Sequence, residues 1–339
     1  MRVVIVSCVY PPEPVTSAVT SKSLAQMLSA GGNQVTVLAP FPNRPQGSIY
    51  PGYTRCLWAT EQSKDGFKII RCFGTLSKRS RMISRFVENL SFGIMSGLAL
   101  LFVRRPDVIY ANTWPIFAAG ILMFVAALRR IPVALSVQDL YPESLLNQER
   151  IAFDSSMANL IRHADRAIAT QASALLLPAQ TFVDVYQGSR RIPAGRIHWI
   201  PNWTHSAMLE TDSSQDGCRT ALGIPLDSFV YAYSGNIGIA AGLDRVIAEI
   251  ARRADVRELF LVAGSGSTLS ACEQSARNCR GGKIVFHTRY PESETPTVLK
   301  AADVLLLPTF GEQAFASLPS KLIWYMLAAR PILAVASPE

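Results

Sequence analysis

Most of the short signatures that assign a function at a glance are missing from this 339-residue chain. Its six cysteines, Cys8, Cys56, Cys72, Cys218, Cys272 and Cys279, contain no C-x-x-C pair and lack the even spacing of a disulfide framework or zinc site. A structural metal and a secreted disulfide scaffold are therefore not expected, and the thiols read as reduced cytosolic residues. No Walker A lysine loop and no G-x-G-x-x-G fingerprint occur. The basic residues are dispersed, as Lys78, Arg79, Arg81 and Arg85, then Arg104-Arg105, Arg129-Arg130 and Arg190-Arg191. No helix-turn-helix, zinc-finger or RNA-binding aromatic pattern accompanies them, so no nucleic-acid partner is expected. The opening residues, Met1 to Ser7, are too short an apolar run for a signal peptide and lead into Pro11-Pro12, so they read as a first β-strand and the chain as cytoplasmic.

What is present is apolar and basic: 49% hydrophobic residues, with a net charge of +8. That suits two domains with separate cores, and an anionic partner such as nucleic acid, a membrane surface or a phosphorylated substrate, among which composition does not choose. Short β-branched runs alternate with helical stretches: RVVIVS, a helix over 17–30, QVTVLA, KIIRCF, a helix over 82–103, DVIYAN, a helix over 115–130, PVALSVQD and ALLLPA. The pattern restarts with FVYAYSG and continues through ELFLVAGSG, KIVFHT, DVLLLPT and PILAVAS, with helices over 242–253, 268–279, 294–301 and 319–329. Such alternation predicts an α/β chain of two Rossmann-like, doubly wound parallel-sheet domains, 1–203 and 204–339, with ligands bound in a cleft at the carboxyl ends of the strands.

Residues 86–103, FVENLSFGIMSGLALLFV, stand out as an apolar segment with arginines on both sides. Glu88 and Asn89 leave it short of the ~20 residues needed to span a bilayer. It reads either as a buried helix of the first domain or as a helix lying in a membrane interface.

The strand-to-helix loops hold the candidate chemistry. After the first strand, the amides of Thr16, Ser17 and Ala18 open a helix, which suits either an anionic or polar group or simply a capped turn. Gln138, Asp139 and Glu143 follow a core strand, where a carboxylate can orient or deprotonate a hydroxyl or can cap the next helix. In the second half, Gly235, Asn236 and Gly238 follow one strand and Gly264 another, where small residues let backbone amides approach a diphosphate. Ser320 and Lys321 open a late helix. A lysine in a first turn opposes the helix dipole unless it meets an anion, so Lys321 is the strongest candidate for a phosphate contact. Glu312 and Asp303 are candidates for the same cleft, with capping as the alternative for Asp303.

The stretches YPPEPVTSAVTSKSLAQMLSAGGNQVTVLA, VQDLYPESL, IPNW, YSGNIGIAAGLDRVI, LVAGSG, AADVLLLP and LPSKLIWYMLAARPILA follow one another along nearly the whole chain. Together they resemble the family 4 retaining glycosyltransferases of GT-B fold, and within them the branch transferring fucosamine or related deoxyhexoses in O-antigen, capsule and colanic-acid synthesis. The resemblance implies an acceptor-binding first domain and a second domain that binds a nucleotide-sugar donor. It also implies a lipid-linked or saccharide acceptor, no required metal or other cofactor, and peripheral contact with the inner face of the cytoplasmic membrane.

By the same resemblance, Gly235, Asn236, Gly238, Ser320 and Lys321 lie near the donor diphosphate and Gly264 borders the nucleotide, with Glu312 on the donor side. Asp139 and Glu143 face the acceptor and, with Lys321, form the expected catalytic set; Thr16, Ser17 and Gln138 line the acceptor side. Several family habits are replaced here. Ala316 and Trp324 stand where a Glu-x7-Glu pair is common, Asn236 and Ala241 where an Arg and a Lys are common, Gln138 in place of a histidine, and Val15-Thr16 in place of Gly-Gly. Family members also continue beyond the strand PILAVAS, so the second domain is expected to be incomplete. Two further readings stay open at the level of sequence: a noncatalytic protein binding a sugar nucleotide or a partner transferase, and a nucleotide-sugar epimerase, although His163, His198, His205 and His287 are scattered.

Overall fold

The computed structural model describes all residues except 14, 45–46, 77–81, 113–115, 147–151, 153–154, 205–210, 254–257, 278–282, 289–291, 310–318 and 337–339. Glu312, Ala316 and the basic residues Lys78, Arg79 and Arg81 thus lie outside the described residues. Backbone contacts divide the chain into two compact units, one of Met1–Asn202 and one beginning at Trp203.

The first unit holds β1 (Arg2–Ser7), β2 (Gln34–Pro40), β3 (Trp58–Gln62), β4 (Lys68–Cys72), β5 (Val108–Asn112), β6 (Val133–Ser136), β7 (Ala174–Leu177) and β8 (Ile197–Trp199), in the spatial order β3-β4-β2-β1-β5-β6-β7-β8. Its helices are α1 (Thr16–Ala30), α2 (Met82–Phe102), α3 (Ile116–Leu128), α4 (Glu143–Leu146), α5 (Ser156–Gln171) and α6 (Gln180–Gln187). The apolar run of β1 is explained by burial on both faces. Val4 and Val6 join a core with Phe92, Leu100 and Leu122, whereas Val3 and Ile5 join another with Ala25 and Val37.

Every pairing in this sheet is parallel except β3 with β4. That hairpin turns at Gly66, with φ 85° and its N–H donating to the Ser63 carbonyl. β3 is an edge strand with exposed and half-exposed residues only, so it has no apolar pattern by which sequence could reveal it. α5 was equally unmarked, because its inward positions Ala158, Ile161, Asp165 and Ala169 combine small, apolar and charged residues.

The second unit holds β9 (Phe229–Ser234), β10 (Glu258–Ala263), β11 (Lys283–His287), β12 (Val304–Thr309) and β13 (Ile332–Ala336), all parallel in the order β11-β10-β9-β12-β13. Its helices are α7 (Gln215–Ala221), α8 (Leu243–Arg253), α9 (Leu269–Ala276), α10 (Thr295–Ala301) and α11 (Lys321–Leu327). Strand order reverses between β9 and β12 here, and between β1 and β5 in the first unit. Loops leave such points in opposite directions and open a crevice at the carboxyl ends of the strands.

Asp303 is not in that crevice. It heads β12 at the opposite edge of the sheet, where its carboxylate pairs with Arg219 at 2.6 Å and accepts the Val230 N–H at 2.7 Å. Its role is to tie β12 to β9 and α7, so the capping alternative describes it better than a place among the functional loops.

Candidate active site

In the second unit, β9 ends in Gly235-Asn236-Ile237-Gly238 and β10 ends in Gly264-Ser265-Gly266. The two loops lie backbone against backbone. The Gly235 N–H donates to the Ala263 carbonyl at 3.0 Å, the Ile237 N–H to the Ser265 carbonyl at 2.9 Å, and both the N–H and hydroxyl of Thr268 donate to the Ile237 carbonyl. A Cβ at Gly264 would sit 1.9 Å from the Gly235 carbonyl oxygen, and one at Gly266 would sit 2.1 Å from that of Ile237. Gly264 also has φ +138°, which L side chains rarely adopt. Gly264→Ala is therefore expected to lower the stability of this unit by about 2–4 kcal/mol, read as a fall in its calorimetric Tm.

Lys321 begins α11 and reaches this shelf. Its Nζ donates to the Tyr233 hydroxyl at 2.6 Å and lies 4.1 Å from the centroid of that ring. The Tyr233 hydroxyl in turn donates to the Asn236 carbonyl at 2.6 Å. Gly235 lies against it: a Cβ there would meet the lysine Cε at 3.5 Å, an ordinary contact, and it is the φ of +144° that calls for glycine. The ammonium is half-buried and no carboxylate pairs with it among the described residues, so burial pushes its pKa down to about 8. Ser320 precedes it, exposed and without a side-chain capping bond. The side chain of Asn236 is exposed on the loop surface, and Gly238 is half-buried beside it.

One turn after Lys321, the buried Tyr325 directs its hydroxyl to Ser234. That hydroxyl accepts the Ser234 N–H at 2.9 Å and donates to the Ser234 carbonyl at 3.2 Å. β12 pairs with β9 only at Tyr231 and Ala232, so Tyr325 satisfies the strand end that β12 leaves behind. Sequence reasoning missed Tyr325. Its four-residue spacing from Lys321, which puts both on one helix face, was the available signal.

In the first unit, β6 leads to Gln138, Asp139 and the Tyr141-Pro142 turn. Gln138 is pinned on both sides: its Nε2 donates to the Ser136 hydroxyl at 3.0 Å, and Asn202 donates to its Oε1 at 2.8 Å. Asp139 is half-buried, and among the described residues no hydrogen bond or ion pair reaches its carboxylate. Burial alone pushes its pKa up to about 6.

Glu143 differs. It forms a 2.7 Å ion pair with Arg190, which is fully buried and also bonds Asp165 at 2.9 Å and the Tyr141 carbonyl at 2.6 Å. Tyr186 completes the group by donating to Asp165 at 2.9 Å. Glu143 thus fixes the turn that carries Asp139, and this buried cluster went unseen in the sequence, where Arg190 was one dispersed basic residue among many.

The loop after β1 is braced from within. Glu13 is buried and accepts the N–H groups of Asn43 and Arg44 at 2.9 and 3.0 Å, while Arg71 donates to the Pro11 carbonyl at 2.7 Å. α1 starts at Thr16, one residue before its expected place, with Val15 as its N-cap. The Ala18 N–H is used within the first turn, donating to the Val15 carbonyl at 2.8 Å, and the Ser17 carbonyl accepts Asn112 Nδ2 at 3.1 Å. Of the three amides expected to meet a ligand, that of Ala18 is therefore committed to the helix. No group of three or more His, Cys, Asp or Glu side chains that could hold a metal ion occurs among the described residues.

These loops sit on a chain whose residues 16–203, more than half its length, match the family pattern described as "Glycosyl transferase 4-like domain". The chain belongs to the glycosyl transferase 4-like family. Among curated relatives it is 24% identical to the protein named as colanic acid biosynthesis glycosyl transferase WcaI of Escherichia coli (strain K12), over 95% of this chain and 80% of that one. It is also 24% identical to the protein named as glycosyltransferase WbjE of Pseudomonas aeruginosa, over 76% of this chain and 65% of that one.

Solved structures give the fold of this glycosyltransferase. Sucrose-phosphate synthase from Thermosynechococcus elongatus superposes with a TM-score of 0.72 at 14% identity, covering 98% of this chain and 81% of that one. Anabaena Alr3699/HepE, solved in complex with UDP and glucose, superposes with a TM-score of 0.60 at 14% identity, covering 98% of this chain and 80% of that one. The two-unit α/β architecture is that of the GT-B glycosyltransferases.

Proposed function

We propose that this glycosyltransferase moves a sugar from a nucleoside-diphosphate donor to a lipid-linked or saccharide acceptor in the assembly of a bacterial surface polysaccharide. The transfer proceeds with retention and without a metal ion. In this reading the second domain, 204–339, binds the donor, and the first, 1–203, binds the acceptor. The names of the two curated relatives support the polysaccharide setting, and the UDP bound by the Anabaena protein supports the donor class. The donor in this reading carries a sugar of the fucosamine or deoxyhexose type. The thiols of Cys56, Cys72, Cys218 and Cys272, none of them in a disulfide, support a cytoplasmic site of action.

The observation that carries the reading is Lys321, a half-buried cation without a carboxylate partner among the described residues, beside a glycine-lined shelf at the β9–β12 switch point. Negative charge develops on the diphosphate as the bond to the sugar breaks, and an ammonium already in place stabilises it without reorganisation. With retention, the acceptor hydroxyl attacks from the face the diphosphate leaves. Its oxygen bonds the anomeric carbon, and its proton passes to the departing diphosphate oxygen. Before attack Asp139, as a carboxylate, orients that hydroxyl by accepting its hydrogen bond, the O–H then turning to the diphosphate oxygen as the bond to the sugar breaks; Gln138 and Glu143 hold the loop in place. Ser320, Asn236, Gly238 and the backbone at Thr16 and Ser17 complete the proposed binding surfaces, and Glu312 is retained as a donor-side candidate.

Thermal-shift measurements on the metal-free protein with a panel of nucleoside diphosphates and nucleotide sugars test the donor assignment. A ligand at about 100 times its Kd adds about 2.7 kcal/mol of stability. Stabilisation by one nucleotide that is much reduced in Lys321→Ala is the expected result, and a panel in which nothing binds contradicts the proposal.

Asp139→Asn should slow transfer by about 100-fold or more while leaving nucleotide binding unchanged. Because the Asp139 carboxyl titrates near pH 6 and acts ionised, kcat/KM should fall as pH drops below about 6. A variant with parental transfer rate and pH profile would remove Asp139 from the mechanism.

A further inference from the structure

α2 is built inside out. Its polar residues Glu88, Asn89 and Ser96 are buried, whereas Ile83, Val87, Ile94, Leu98 and Phe102, at four- and seven-residue spacing, form a stripe on its outer face. The buried Glu88 is matched by Arg44 at 3.3 Å and Arg85 at 2.8 Å. By length and composition this helix suffices to cross a bilayer, but Phe92, Ala99 and Leu100 on its inner face belong to the core of the first unit. It is therefore anchored in the protein along one side and bare along the other.

α3 widens the bare surface. Gly93 and Gly97 of α2 bring the helices into contact: a Cβ at Gly93 would lie 2.8 Å from the Ala118 Cα, and one at Gly97 would lie 3.2 Å from Ile121. The helices run side by side in the same direction, and α3 contains no charged residue. On its outer side Phe124 is 64% and Leu128 66% exposed, which extends the apolar face across a second helix. Trp58, on the flank of α2, is partly exposed and donates its indole N–H to the Met95 carbonyl. Exposed apolar faces of this extent mark contact surfaces.

The two helices end together in cations. Arg129 donates to the carbonyls of Leu100 and Val103 at the end of α2, and Arg105 donates to the Arg130 carbonyl at 2.9 Å. Arg104, Arg105 and Arg130 remain exposed at that end. The apolar stripes carry no acidic residue that could receive these arginines from a second copy of the chain. Anionic lipid headgroups beside an acyl interior satisfy both features.

We propose that the joint outer face of α2 and α3 lies in the surface of an anionic lipid bilayer, with the apolar stripes inserted to the level of the acyl chains and Arg104, Arg105 and Arg130 on the headgroups. This deepens the proposed reading by giving the lipid-linked acceptor a surface from which the enzyme reaches it.

Vesicle flotation of the full chain tests it, with neither donor nor acceptor present, so that its failure and the failure of the transfer reading are distinguishable. The protein should float with vesicles containing phosphatidylglycerol and far less with pure phosphatidylcholine. The pair Leu98→Glu with Phe124→Glu, both at exposed positions, should weaken binding at least about 100-fold. Removing each of the three arginines should weaken it roughly five-fold at low salt, an effect that fades at high salt.

As a second readout on a conservative variant, Phe124→Trp should gain an emission component quenched by brominated lipid. Three results would overturn the proposal: no flotation with anionic vesicles, flotation indifferent to the glutamate pair, or a dimer in solution that the glutamate pair dissolves.

Discussion

Replacing Lys321 with methionine is expected to slow sugar transfer by about 100- to 1,000-fold, the range typical for losing one preorganised electrostatic contact to a developing anion. The shape of the site should survive. Methionine fills much the same volume, and Tyr325 still holds the end of β9. Lys321→Arg separates charge from fit, because a guanidinium retains the charge but not the single Nζ contact to Tyr233.

The proton on Lys321 adds a signature of its own. With a folded-state pKa near 8 against an ordinary 10.5, the unliganded protein loses this charge as pH rises through about 8. The kcat/KM should therefore decline above about pH 8, and Lys321→Arg should abolish that limb whatever its residual rate. The stability sign is opposite. Between about pH 8 and 10.5 the unfolded chain binds more protons at this lysine, so the unliganded fold gains stability as pH rises through that window. Lys321→Met should remove the gain, and unchanged pH dependence of Tm between the two proteins would show that Lys321 is not the group responsible.

The second large effect is on stability. Arg190→Leu should destabilise the first unit by about 3–5 kcal/mol, because it leaves Asp165 without its ionic partner inside the core. Burial already pushes the Asp165 carboxyl above its usual range despite Arg190, and without the guanidinium the group should take up a proton. The loss should therefore be smaller in acid than at neutral pH. At roughly 2–4 °C per kcal/mol for a unit of this size, the Tm should fall by about 6–20 °C, and calorimetry at two pH values measures both the drop and its pH dependence. A shift of a degree or two would mean that the cluster contributes little to the fold. Activity should fall as well, since Arg190 holds the Tyr141 carbonyl and Glu143 on the turn after Asp139.

What could be read in advance follows from how local each signal is. β1, β2, β9, β10 and β12 are short apolar runs buried on both faces, and their alternation with helices points to two sheets that are parallel in every pairing but β3 with β4. β3 and α5 escaped because an exposed edge strand and a helix with a buried aspartate carry no periodic apolar signal.

At the site, Gly235, Gly264 and Lys321 were legible as glycines after strands and a cation in a first helical turn. The Arg190 cluster was not, since its carboxylate partners lie 25 and 47 residues away in sequence. In α2, Glu88 and Asn89 looked like interruptions of an apolar segment. They occupy its inner face instead, and the outer face is the uninterrupted one.

The most direct test of the donor site is calorimetric titration of the nucleoside diphosphate that passes the thermal screen, run at pH 8.5 in two buffers of different ionisation enthalpy. If Lys321 receives the diphosphate, binding must restore its proton. The wild type then takes up a substantial fraction of one proton, and Lys321→Met binds more weakly with no such uptake. Equal affinity and equal proton uptake in the two proteins would contradict the assignment of Lys321 as the diphosphate contact.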